Sequence, residues 1–174
     1  MRCLPSRWCF RDVNDKANPG VFSDDDHRWM AEALALADAA EAEGEVPVGA
    51  VVVRGDEIVG RGRNAPRASH DPSAHAELLA VRDAAARLGN YRLTDCRVYV
   101  TLEPCLMCVG AMVHARVAEV IFAAADPKSG ALGGITDAQT LPGLNHRFAV
   151  RGGLMADVAG ERLRQFFRNK RRVT

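Results

Sequence analysis

Two short clusters hold the residue types that could do chemistry, His75-Ala76-Glu77 and Pro104-Cys105-Leu106-Met107-Cys108. Taken alone, a Cys-x-x-Cys pair suits a redox dithiol as well as a metal, and a lone His near a helix start is more often a surface residue than a ligand. Together the clusters offer one neutral imidazole and two thiolates, and both follow a proline at the expected opening of a helix. Three protein ligands leave one tetrahedral position for water, the pattern of a catalytic zinc site. Soft sulfur donors favour zinc over magnesium or calcium, and the positive end of a helix lowers thiol pKa. Glu77 is then the proton carrier, base toward a water that the metal activates and afterwards acid toward the substrate. Positions two apart lie about 200° apart on an ideal helix, so His75 and Glu77 are not expected to ligate side by side. At a helix end a long Glu still reaches the water; the plain alternative is a solvated surface carboxylate.

The surrounding chain alternates helical and strand patterns. Ser23 reads as an N-cap followed by three aspartates, and Trp29, Ala33, Leu36, Ala37 and Ala40 recur at helical spacing until Gly44. Val48–Val53 and Glu57–Gly62 form a hairpin about Arg54-Gly55-Asp56. Asp71-Pro72 is expected to open a helix through Leu88, closed by Gly89-Asn90. Arg97–Thr101 reads as a buried strand, Pro104 starts a helix to about His114, and Ala118–Ala123 is again strand. A Gly-rich loop runs from Asp126 through Gly134, and Leu154–Lys170 is a final helix. The fold class is α/β, with helices on both faces of a sheet.

Composition bounds the rest. With 48% apolar and 26% charged residues, the 174-residue chain matches one globular domain able to bury a core without disulfides. The five cysteines, an odd and irregular set, indicate thiols kept for a metal in a reducing compartment. No apolar run is long enough to span a membrane, and the start lacks a signal-peptide core, so a cytoplasmic protein is expected. Residues 1–22 show no periodicity and are expected to form a flexible extension, with the zinc-dependent domain over 23–174. Charge is dipolar: Asp24–Glu45 is acidic, whereas Glu161–Thr174 carries six Lys/Arg against one Glu. There Phe166 and Phe167 beside Arg168, Lys170, Arg171 and Arg172 could stack bases and meet phosphates, or one Phe could simply pack the helix on the core.

The pairing of H-x-E with P-C-x-x-C is a signature of zinc nucleobase deaminases. Further stretches, Glu45–Val51, His70–Glu77, Asn90–Leu93, Tyr99–Cys108, Gly110–Arg116 and Asn145–Arg147, resemble the bacterial tRNA-specific adenosine deaminases in that family's order. The resemblance implies a three-layer α/β/α cytidine-deaminase-like fold with a central mixed sheet of about five strands. It also implies one Zn2+ per subunit, a homodimer, and conversion of the wobble adenosine of an arginine tRNA anticodon stem-loop to inosine. Carried over by position, Asn64 reads the base, Ala76 supplies a main-chain contact, Val46 lines the base pocket and Asp126 stands near the target nucleotide. An Asn amide suits a purine edge because it both donates and accepts. Two features depart from the family pattern: Ala125 stands where a basic residue is common, and Gly133-Gly134 with the segment after it is not a close match. The rival function is a zinc deaminase of guanine or another free base or nucleoside, against which Met112-Val113-His114 and the basic C-terminal helix speak. A zinc-stabilised RNA-binding module without turnover has no use for Glu77. His114 and His146 are expected to be structural or interface groups, and Cys96 a core residue.

Overall fold

A computed structural model describes residues 22–173. Helix α1 (Asp24–Ala42) starts as its sequence demands, with Ser23 and Asp26 bonding each other's backbone in a reciprocal capping box. Strands β1 (Gly49–Arg54) and β2 (Glu57–Arg63) form the hairpin. A short helix α2 (Pro66–Ser69) precedes α3 (Ala76–Leu88), and β3 (Cys96–Leu102), α4 (Leu106–Ala115) and β4 (Glu119–Ala124) follow. The chain ends with β5 (Ala149–Gly152) and α5 (Ala156–Val173).

The five strands lie in the order β2-β1-β3-β4-β5, antiparallel from β2 to β3 and parallel from β3 to β5. The sheet is therefore mixed, as expected. Alternate residues divide its two faces. Ala50, Val52, Val98, Val100 and Val120 pack with α3 and α4, while Val51, Val53, Tyr99 and Ile121 pack with α1 and the start of α5. The result is a three-layer α/β/α sandwich. The segments that follow β2, β3 and β4, together with the one that precedes β1, all gather at one end of the sheet.

Two expectations about local structure are corrected. Asp71-Pro72 does not open a long helix; Asp71 Oδ1 accepts from the Ser73 N–H at 2.8 Å and hydroxyl at 2.7 Å, and this turn chemistry postpones α3 to Ala76. Likewise Cys105, not Pro104, borders α4. The short strand β5 had no separate periodic signal. Of the expected extension, all but Phe22 lies outside the described residues; Phe22 packs against the α1 core and its ring lies 5.3 Å from the Arg151 guanidinium.

Asp26 does more than cap. Buried in the first turn of α1, it accepts from the Tyr99 hydroxyl at 2.7 Å and from Arg151 at 2.9 and 3.2 Å, while Arg151 also bonds Glu119 at 2.6 Å. Burial alone would raise the Asp26 pKa, but the Arg151, Ser23 and Tyr99 bonds outweigh it and hold the carboxyl well below the usual range. The stabilisation is therefore present above the ordinary aspartate pKa of 3.8 and is lost as pH falls from there toward the depressed folded value. Replacing Asp26 by Asn is expected to cost about 3–5 kcal/mol near neutral pH and to flatten the acid side of the stability curve. Urea unfolding midpoints of both proteins across pH 3–7 check this.

Candidate metal centre and active site

His75 and Cys105 occupy equivalent places. Each borders its helix in extended backbone without making a side-chain cap, so both side chains remain available to a common centre. Cys108 follows one turn into α4. His75 Nδ1 lies 3.7 Å from Cys105 Sγ and 3.6 Å from Cys108 Sγ, and the two sulfurs are 3.7 Å apart. A tetrahedral zinc with Zn–S about 2.3 Å and Zn–N about 2.0–2.1 Å requires S···S near 3.8 Å and S···N near 3.6 Å. The triangle fits zinc within a tenth of an ångström or so. Among the described residues it is the one group of three or more potential metal-binding side chains whose ligand atoms converge this closely.

The electrostatics also call for a cation. Hydrogen bonds from Cys108 and His75 hold the Cys105 thiol down to about 4, while the bond to Cys105 and burial push the Cys108 thiol up. Two sulfurs this close cannot both be thiolates without positive charge between them. Glu77, one position into α3, is 4% exposed and lies against Cys108. Burial pushes its carboxyl above the usual range, opposed by its own backbone N–H and the His75 charge. It is thus no solvated surface carboxylate. A buried carboxyl beside three convergent metal donors is equipped to take up and return a proton.

Three other acceptors shape the walls, and two of them have no motif of their own. Asn64 Oδ1 accepts from the Ala76 N–H at 3.0 Å, covering an open donor of α3 and fixing where His75 and Glu77 emerge. Glu45, buried, accepts from the Arg67 and Ala68 N–H groups at 3.0 and 2.8 Å and so caps α2. Glu103, also buried, accepts from Asp126, Leu132 and Gly134 at 3.0, 2.9 and 2.8 Å. The available signal was a carboxylate set in apolar company just before a proline, Glu45-Val46-Pro47 and Glu103-Pro104.

The site residues expected from sequence are brought together to different degrees. His75, Glu77, Cys105 and Cys108 converge, and Asn64 touches Ala76 directly. Val46 is half-buried against the core that contains Ala76 and Cys108. Asp126 is tied to the site through Glu103, and its own carboxylate accepts from the Lys128 N–H at 2.8 Å. His146 bonds the Val117 carbonyl at 2.7 Å and Cys96 is buried, both structural positions, whereas His114 is exposed.

The family model of the cytidine and deoxycytidylate deaminase zinc-binding region matches residues 23–124, the stretch that supplies every one of these metal donors and Glu77. The chain belongs to that deaminase family. A tRNA-specific adenosine deaminase of Haemophilus influenzae is 43% identical to this deaminase over 152 residues, covering 87% of this chain and 88% of that one. A tRNA(Ile)-lysidine synthase of Deinococcus radiodurans is 47% identical over 172 residues. That match takes in 97% of the deaminase but only 28% of the synthase, so the chain spans under a third of that relative's length. Among solved structures, a chain from studies of A-to-I editing by tRNA:A34 deaminases at the wobble position of transfer RNA superposes with a TM-score of 0.74. It is 37% identical, covering 78% of the deaminase and 99% of that chain.

Proposed function

We propose that this deaminase hydrolyses the amino group of the wobble adenosine in a tRNA anticodon loop, giving inosine and ammonia, with an arginine tRNA as the substrate that the sequence resemblance favours. The observation that carries the chemistry is the triangle of His75 Nδ1, Cys105 Sγ and Cys108 Sγ, 3.6–3.7 Å on each side, with buried Glu77 against it. These three side chains would hold one zinc ion per subunit. Bound zinc supplies Lewis acidity that brings the pKa of water toward neutrality. Glu77 takes the proton released as water adds to C6 of the purine and delivers it to the ring nitrogen; it then takes the proton of the new C6 hydroxyl and passes it to the amino group, which leaves as ammonia. Asn64 is held by Ala76 so that its amide NH2 meets the base edge, and Val46 lines the pocket.

RNA as substrate is supported by the relative from Haemophilus influenzae, alike over nearly the whole of both chains, and by where the folded chain carries its cations. Arg162 bonds Asp38 of α1 at 2.6 and 3.1 Å, and farther along α5 the residues Phe166, Asn169 and Lys170 flank Glu41 and Gly44 at the end of α1. Helix α5 therefore runs alongside α1 toward the end of the sheet that carries the metal donors. Its basic terminus is exposed there, with Phe166 packed on the body and Phe167, edge-on to Phe166, exposed on its outer side. An adenosine already splayed from a loop avoids much of the unstacking cost of a duplex. A homodimer is supported by exposed Leu106 and Met107 on α4, which a second copy would cover. A cytoplasmic setting suits tRNA chemistry, and no helix of the described residues is long and apolar enough to cross a membrane.

The test compares four substrates: an arginine-type anticodon stem-loop with a wobble adenosine, the same stem-loop with cytidine, free adenosine and free guanine. Inosine formation only in the first is expected. Efficient deamination of guanine or a free nucleoside with an inert adenosine stem-loop would overturn the reading in favour of a free-base enzyme. Neutralising exposed Arg171 and Arg172 together is expected to weaken stem-loop binding and to lower the slope of log affinity against log salt by roughly 0.7 for each phosphate left without its cation. Titrations from low to high salt measure that slope; an unchanged slope would mean that these arginines serve only as a solvated face.

A further inference from the structure

We propose that Glu103 is a positioning residue that fixes the wall of the substrate pocket over residues 126–134, resting on the deaminase reading above for its kinetic consequence. Glu103 is 3% exposed, and a buried carboxylate persists only where donors satisfy it. All three of its donors are backbone N–H groups of one loop: Asp126 on Oε2 at 3.0 Å, Leu132 and Gly134 on Oε1 at 2.9 and 2.8 Å. The loop is thus wrapped about a single anionic side chain. Beside it, Ala131 N–H donates to the Pro104 carbonyl at 2.9 Å, and Gly130 pairs with Cys105 in an antiparallel bridge. The segment carrying Asp126 is in this way locked to the residue that borders the metal donors of α4.

The close approach sets the composition of the loop. A Cβ built at Gly130 would stand 2.3 Å from Glu103 Oε2, and one at Gly134 would stand 2.7 Å from the same oxygen. Neither position accepts a side chain while the carboxylate keeps its donors. The departure at Gly133-Gly134 now has a physical account at its second residue: Gly134 both donates to Glu103 and leaves room for it. Glu103, Gly130 and Gly134 act as one unit.

Gln at position 103 keeps the shape and one oxygen, but it cannot accept on both sides. An NH2 group then faces either the Asp126 N–H or the pair from Leu132 and Gly134, and one side of the loop is released. The experiment compares wild type, Glu103→Gln, Gly134→Ala and the double variant. It measures zinc content, amide hydrogen exchange of the 126–134 peptide, and KM and kcat on the wobble-adenosine stem-loop. Both single variants are expected to retain zinc, to exchange faster over 126–134, and to raise KM about tenfold with kcat changed less than about threefold. The double variant is expected to do no more than either single one, because both break the same interaction. Unchanged exchange in Glu103→Gln overturns the proposal. So does loss of zinc and kcat at constant KM, which would make Glu103 a support for Cys105 alone. Should Glu103→Gln fail to fold, Gly134→Ala decides by the same measurements. If wild type does not turn over the stem-loop, the substrate reading fails, and exchange with zinc content still decides the role of Glu103.

Discussion

Glu77→Gln is expected to keep its zinc and its fold while turnover falls by roughly 10²–10⁴-fold, the usual worth of a positioned general acid–base group. The glutamine amide fills the same buried space against Cys108, so packing is conserved, but it cannot take a proton from water or return one to the base. Substrate binding should change little, because the neutral amide keeps the size and place of the carboxyl it replaces. The loss therefore belongs in kcat. Single-turnover rates with metal analysis on the same preparation separate the possibilities. Retained turnover would remove Glu77 from the chemistry, and loss of zinc would make it a ligand.

Removing any one of His75, Cys105 or Cys108 is expected to lower activity to background and to empty the site. Three donors at 3.6–3.7 Å mutual distance define the tetrahedral cage, and two cannot hold it at ordinary free-zinc levels. A bound zinc would also tie the start of α3 to the start of α4; without it one thiol pKa is depressed and the other raised. A ligand variant is therefore expected to melt several degrees lower, each kcal/mol being worth about 2–4 °C at this size. Chelated wild type should match the variants in both respects and recover on adding zinc, whereas the variants should not. Stoichiometric zinc in Cys108→Ala would show that the donor set is wrongly assigned.

The sequence by itself determined which four side chains, His75, Glu77, Cys105 and Cys108, converge and which elements present them. The types and spacing of His75, Glu77, Cys105 and Cys108 are local facts, as are the Ser23 cap, the hydrophobic period of α1 and the β-branched run of β1. Each is decided by contacts within a few residues, where capping, turn chemistry and periodicity act. The family resemblance added the five-stranded mixed sheet, which periodicity alone left one strand short. Tertiary structure decided what depends on distant partners. Asp26 reads locally as a first-turn acid, yet Tyr99 and Arg151, 73 and 125 residues away, turn it into a buried anchor. Glu45 and Glu103 have no partner within a few residues along the chain; each is buried against backbone N–H groups more than twenty residues away. The start of α3 moved to Ala76 because the Asp71 turn and the Asn64 carbonyl, not Pro72, set the last extended residue before the helix. Nor could the sequence say that α5 points its cations toward the metal end, since that direction follows from the packing of Arg162 and Phe166 against α1. Short-range hydrogen bonds and apolar periods are written along the chain, whereas the partner of a buried charge exists only once the sheet has brought remote strands together.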